Sequence, residues 1–140
     1  PDVNLTTDVI VGFPGEDEND FLETVAFCQE VGFSKIHVFP YSERKGTRAY
    51  NMPNKVPGNI RKERARQLIK IDEDLQRKFN ERFVGQVVDV LIEEVFDNKA
   101  IGHTENFLKV VVKEKLEKNK IYKILIDEAL VDAVNGKCLK

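Results

Sequence analysis

Cysteine is nearly absent from this chain. Only Cys28 and Cys138 occur, far apart, with no CxxC pair and no His/Cys ligand set around them. That excludes a disulfide framework and predicts no metal ligands. Two isolated thiols, one on a helix and one on a strand, suit a reducing, cytoplasmic home. No run approaches the roughly 18–20 apolar residues of a membrane span, so no membrane partner is expected. Pro1-Asp2-Val3-Asn4 offers no basic n-region, no apolar h-region and no initiating Met, so no signal peptide is read and a chain cut from a longer protein is expected. GxGxxG and the P-loop are both missing, which removes the common nucleotide fingerprints. There is no internal repeat and no low-complexity tract.

What is present is an ordinary soluble composition, 41% hydrophobic and 33% charged over 140 residues, enough for one domain or two small ones. The formal net charge of −2 hides an uneven spread. Residues 1–40 carry one basic side chain, Lys35, against eight acidic; residues 41–82 carry twelve against six; residues 83–140 carry nine against ten. A polyanion would therefore meet the middle segment, unless those charges only solvate a helix face.

Leu5 to Val11 is β-rich and stops at Gly12-Phe13-Pro14-Gly15-Glu16. Asp17, Glu18 and Asp20 then favour a helix N-terminus, Phe21, Val25, Cys28 and Val31 recur at helical spacing, and Gly32 is placed to end the helix. Lys35 to Phe39 is a short apolar strand halted by Pro40. Strand, crossover helix and strand predict a parallel βαβ unit, one too small to bury both faces of its own sheet. Residues 40–58 read as a long loop, and a second helix is expected over Asn59 to Arg82. Its stripe of Leu68, Ile71, Leu75, Phe79 and Phe83 is expected to pack on a neighbouring domain. After Val84 the period switches to two. Strands are predicted at Val88–Ile92, ending near the turn signal Asp97-Asn98-Lys99, at Phe107–Val112, Ile121–Ile126 and within Leu130–Leu139, a number and length that point to a small closed or nearly closed barrel.

Two readings are open for the Gly12–Glu16 turn: close approach of backbone to a ligand, or a tight strand-to-helix turn that needs glycine. Ser42 has no His or Lys arranged as its base, so a nucleophile is not read there and no catalytic residue is assigned. Arg44, Lys45 and Arg48, flanked by Tyr41 and Tyr50, suit either a phosphate-and-base surface or a charged exposed loop. His37 reads as a hydrogen-bonded strand histidine. His103 suits an RNA contact or a solvent position, and Phe107 a stacked base or a strand core residue.

Thr7-Asp8-Val9-Ile10-Val11-Gly12-Phe13-Pro14-Gly15-Glu16, then Phe21, Thr24 and Phe27, then His37-Val38-Phe39-Pro40-Tyr41-Ser42, then Arg44, Gly46-Thr47 and Ala49 resemble the last part of the core of the radical-SAM methylthiotransferases. In that family a basic helix leads to a C-terminal TRAM domain; Asn59 to Arg82 resembles the helix and Phe83 to Lys140 the domain. Gly102-His103-Thr104-Glu105-Asn106-Phe107 resembles the family's TRAM loop, in the wording of members that modify threonylcarbamoyladenosine. The resemblance spans essentially the whole chain.

It implies an α/β fragment, the last βαβ of a partial TIM barrel, over residues 1–50; a basic linker and helix over 51–82; and a small all-β, OB-like TRAM barrel over 83–140. Gly12, Phe13, Pro14, Gly15 and Glu16 would lie beside S-adenosylmethionine. Tyr41, Ser42, Arg44, Lys45 and Arg48 would serve the substrate end, and His103, Thr104, Asn106, Phe107 and Lys109 the bound tRNA. The family's two [4Fe–4S] clusters are held by a CxxxCxxC triad and by N-terminal cysteines, neither present here, so neither clusters nor activity are expected of this chain alone. The resemblance implies methylthiolation at C2 of the modified adenosine at tRNA position 37. Two other readings stand beside it: a self-sufficient TRAM-type RNA-binding module, and a methylthiotransferase of the same family acting on a ribosomal-protein aspartate.

Overall fold

β-branched residues open the chain's first element, and glycine ends it. The computed structural model describes residues 3–139; Pro1, Asp2 and Lys140, at the outer ends of the first and last expected segments, lie outside them. The chain divides into two compact units, residues 5–75 and residues 76–139 with 3 and 4.

In the first unit β1 (Thr6–Val11) pairs in parallel with β2 (Lys35–Pro40), joined by α1 (Glu18–Val31). The start of α1 is fixed by a capping box: Asp20 N–H donates to Asp17 Oδ1 at 2.8 Å and Asp17 N–H to Asp20 Oδ2 at 3.1 Å. Its end is Gly32, at φ 72°, whose N–H returns to the Cys28 carbonyl. Phe21 and Cys28 are buried as the periodicity predicts, whereas Val31, in the last turn, is exposed.

The second long helix, α2 (Gly58–Glu81), corrects one expectation. Its stripe does not pack on a single neighbour. Leu68 and Leu75, with Ala65, join Val11, Phe21, Cys28 and Ile36 in the core of the first unit, and Phe79 belongs to the core of the second. Asp72, on the same helix and 3% exposed, accepts from Ile36 N–H at 2.7 Å and pairs with Lys35 at 2.9 Å. The strand amide that points away from β1 is thus satisfied by a side chain. The opposite sheet face stays open, with Ile10 and Phe39, partners in register, 55% and 51% exposed. His37 lies on this face, exposed and beside Asp8, rather than buried in a hydrogen-bonded setting.

Five strands close the second unit: β3 (Val87–Phe96), β4 (Lys99–His103), β5 (Lys109–Val112), β6 (Ile121–Ala129) and β7 (Val134–Cys138), in the order β3-β4-β5-β7-β6. All pairs are antiparallel except β5 with β7. The predicted barrel is closed, with one more strand than expected. β4 escaped notice because its inward residues are Ala100 and Gly102, which leave no apolar alternation to read. β3 ends at Phe96, by the Asp97-Asn98-Lys99 turn as expected, and carries a bulge between Ile92 and Glu94. Gly102 is required: a Cβ there would lie 2.1 Å from the Leu91 carbonyl oxygen. Val90, Ile92, Val110, Val112, Ile124, Ile126 and Val134 fill the interior, and Phe79 and Phe83 stack edge-on at 5.3 Å against it. Asn80 donates to the carbonyls of Leu130 at 2.8 Å and Val131 at 3.1 Å, fixing the turn before β7.

Candidate functional site

The first unit presents its candidate residues where β1 and β2 end. Gly12 adopts φ +78°, and a Cβ there would meet Arg61 Cγ at 2.3 Å. Its N–H donates to Glu16 Oε1 at 2.9 Å, Gly15 N–H to the Asn54 carbonyl at 2.8 Å and Glu16 N–H to the Phe13 carbonyl at 2.9 Å. The Gly12 and Glu16 amides close the turn on itself, and the Gly15 amide ties it to the loop at Asn54. The outward side of the turn carries the Phe13 ring, 40% exposed, and Gly15, beside which a Cβ would meet nothing within 4 Å. Phe13 stands edge-on to Tyr41 at 5.4 Å.

Tyr41 continues the sheet by donating its N–H to the Val11 carbonyl at 2.8 Å, and its carbonyl accepts from Arg61 Nη1 at 3.3 Å. Its buried hydroxyl has no partner among the described residues. Ser42, Arg44, Lys45 and Arg48 are all exposed. The Arg44 carbonyl accepts from Thr47 Oγ1 at 2.7 Å, closing a turn through Gly46 at φ +90° that projects the three cations. Lys55 is committed nearby, pairing with Glu43 at 2.9 Å and lying over the Tyr50 ring at 4.8 Å.

The basic count of residues 41–82 overstates this surface. Arg64 is buried against Glu16, Arg61 lies on the Gly12 turn, and Arg66 is held by Glu63 in two hydrogen bonds. Periodicity could not find Arg61 and Arg64, because an arginine on an amphipathic helix reads as solvated.

On the barrel, the loop from β4 to β5 is tightly made. Thr104 N–H donates to the Leu108 carbonyl at 3.0 Å, Leu108 N–H to Thr104 Oγ1 at 3.0 Å and Phe107 N–H to the Thr104 carbonyl at 3.0 Å, while the Thr104 hydroxyl bonds the Asn106 side chain. Phe107 is thereby held at φ 64°, outside any strand and 76% exposed, which settles its placement against a core role. The Phe107 ring thus stands in solvent at the loop tip. It separates two open grooves of about 590 and 780 Å³. The smaller has Leu91 and Ile121 as an apolar floor beside Asp89, Glu93 and His103; the larger runs past Phe83, Val88 and Asn106.

His103 is not free for a ligand by default. Its Nδ1 lies 2.6 Å from Glu93 Oε1, the carboxylate that the bulge re-aims. Lys109 sits beside His103 across the β4–β5 ladder, half-buried. A third groove, of about 680 Å³ along β5, β7 and β6, contains none of the expected residues, and its Lys137 and Asp127 face each other at 3.9 Å.

Among the described residues no cluster of three or more His, Cys, Asp or Glu could hold a metal ion, and no helix is long and apolar enough to cross a membrane. Cys28, buried, and Cys138 are lone free thiols on different units, so the residues present do not fit an iron–sulfur cluster. Toward an adenosyl group the first unit would offer exposed apolar and aromatic side chains, Phe13, Ile10 and Phe39, and the open space at Gly15.

A parallel βαβ unit followed by a long helix and a closed five-stranded mixed barrel with a projecting aromatic loop defines the class: an α/β segment carrying a TRAM-like barrel. No family model matches the chain. It is 42% identical over 118 residues, 81% of its length, to the threonylcarbamoyladenosine tRNA methylthiotransferase MtaB of Bacillus subtilis. It is 45% identical over 93 residues, 66% of its length, to a tRNA-2-methylthio-N(6)-dimethylallyladenosine synthase of Caldicellulosiruptor saccharolyticus. A synthase of the same name from Thermobifida fusca is 48% identical over 94 residues, 67% of this chain. These stretches cover 26%, 20% and 19% of the three relatives, so the chain spans about a quarter or less of their length. The chain is homologous to the C-terminal region of the tRNA methylthiotransferase family.

Proposed function

We propose that this chain is the C-terminal portion of a radical-SAM tRNA methylthiotransferase that places a methylthio group at C2 of N6-threonylcarbamoyladenosine at tRNA position 37. Residues 1–50 end the partial barrel, residues 51–82 are the basic linker and helix, and residues 83–140 are the TRAM domain that binds the tRNA. The observation that carries the reading is the alignment to the threonylcarbamoyladenosine enzyme, which extends over 81% of the chain. The enzyme works on tRNA in the cytoplasm.

When bound, S-adenosylmethionine and the two clusters supply the radical and methylthio chemistry; the cluster ligands come from outside these 140 residues. This chain's own residues bind and orient. Phe13 and Gly15 wall the adenosyl site. Tyr41, Ser42, Arg44, Lys45 and Arg48 meet the substrate end, their cations neutralising phosphate. His103, Thr104, Asn106, Phe107 and Lys109 hold the RNA on the barrel, with Phe107 stacking a base.

A second reading has its own observation: the 48% identical relative from Thermobifida fusca is named for dimethylallyladenosine. The test is mass spectrometry of tRNA nucleosides from cells lacking both activities and supplied with the full-length protein. The 2-methylthio derivative of threonylcarbamoyladenosine is expected. Its dimethylallyl counterpart alone would establish the second reading, and neither product would overturn both.

A further inference from the structure

Glu16 is the only carboxylate of the Gly12–Glu16 turn, and its side chain is 13% exposed. Its Oε1 accepts from Gly12 N–H at 2.9 Å and from Arg64 Nη1 at 2.8 Å, and the same Nη1 reaches the Glu16 carbonyl at 3.0 Å. Arg64 arrives from α2, 48 residues further along the chain. Its side chain is 7% exposed, with the guanidinium 5.7 Å from the centre of the Phe21 ring. Its buried Nε has no partner among the described residues. An arginine kept in place despite an orphaned donor is held by the rest of the arrangement. Both contacts come from the single nitrogen Nη1, and a lysine side chain ends one bond short of that position, so lysine would not reproduce them.

Without this clamp the turn keeps only its backbone bonds, Gly15 N–H to the Asn54 carbonyl and Glu16 N–H to the Phe13 carbonyl. A released Glu16 would free the Gly12 amide and carry its charge toward solvent, on the side where Phe13 and Gly15 lie. We propose that Arg64 is a positioning residue for bound S-adenosylmethionine, locking Glu16 so that the Gly12–Glu16 turn presents Phe13 and Gly15 in one fixed geometry. This rests on the cofactor reading given above. The linker helix then sets cofactor affinity without touching the cofactor.

The test uses S-adenosylhomocysteine as probe, by equilibrium dialysis on the full-length protein, together with amide hydrogen exchange on the 140-residue chain. Arg64→Lys is expected to raise the dissociation constant about tenfold, the order by which losing an orienting partner weakens a held group, and to lower Tm. Glu16→Gln with Arg64→Met removes both charges together, so Tm should return toward the wild-type value while the affinity stays about tenfold weaker. In both variants Gly12 N–H should exchange faster, with Val110 in the barrel unchanged. Should Arg64→Lys fail to fold, the double variant decides alone. Wild-type affinity in the double variant would overturn the positioning role and leave a purely structural pair. Unchanged exchange at Gly12 would overturn the clamp itself. If the wild-type full-length protein does not bind the probe while Gly12 exchange responds as described, the cofactor reading of the turn falls and takes this proposal with it.

Discussion

Burial separates the two thiols. Cys28 is 1% exposed in the core of the first unit, and burial pushes its pKa above the ordinary value. A thiol that is both shielded and less ionised is a poor nucleophile. Cys138 is partly exposed. Iodoacetamide at mildly alkaline pH should therefore label Cys138 alone in the folded chain and both thiols in denaturant, as peptide mass mapping would record. Equal labelling in the folded state would mean that the first unit opens freely.

Glu63 behaves in the opposite sense. Its hydrogen bond from Arg66, then that from Gln67, holds its carboxyl at about 2 against an ordinary 4.5. The folded value is depressed, so whatever stability the pair adds is complete above the unfolded value and fades as pH falls from about 4.5 through about 2. The group is fully exposed, so the effect on unfolding should be slight. A carboxyl NMR titration should place its midpoint near 2; a midpoint at 4.5 would show the pair broken in solution.

At the scale of elements, glycines divide sharply. Gly102→Ala pushes a methyl carbon to 2.1 Å from the Leu91 carbonyl across the ladder, where backbone cannot yield cheaply. Overpacking of this kind costs about 1–3 kcal/mol or more. Gly58→Ala, at the start of α2, meets only Arg61 Nη2 at 3.4 Å, and alanine favours a helix by roughly 0.5–1 kcal/mol at an interior position and by less at its end. Urea melts should show the first destabilised and the second unchanged or slightly improved. Equal effects would mean that β3 and β4 can part without loss.

These same glycines mark where sequence reading worked and where it stopped. Gly32 ended α1 as expected because C-terminal caps are local. Gly102 hid β4 because its role is set by the neighbouring strand β3, and small inward residues leave no periodic trace. The Asp97-Asn98-Lys99 turn ended β3 as expected because turn chemistry is local, whereas the bulge between Ile92 and Glu94, a tertiary feature, left no sign in the sequence. The site followed the same rule. The cations at Arg44, Lys45 and Arg48 were legible as local composition, whereas Phe107 reads there as the start of a strand and only the family resemblance puts it in a loop. The inward Arg61 and Arg64 were not, since their partners lie far off in sequence, 48 residues away for Arg64 and Glu16.

For the molecule as a whole, the proposed RNA contacts are of two physical kinds, carried by separate residues. Arg44, Lys45 and Arg48 are exposed and make no ion pair among the described residues, so they can neutralise phosphate. Each phosphate neutralised releases counterions, and affinity should fall with salt along a log–log line. Phe107 carries no charge, and Asp89 and Glu93 line the groove beside it, a setting for a base rather than a phosphate. Replacing the three cations by alanine should weaken tRNA binding and make the salt slope shallower by roughly one unit for each phosphate left without its cation. Phe107→Ala should weaken binding by about 1–3 kcal/mol, the worth of one stacked base, and leave the slope where it was. Fluorescence anisotropy on the intact chain across a salt series reads both quantities from the same titrations. A shallower slope in Phe107→Ala would place phosphate at the barrel loop. No change in either set, or no binding at low salt, would return these residues to an ordinary solvated surface.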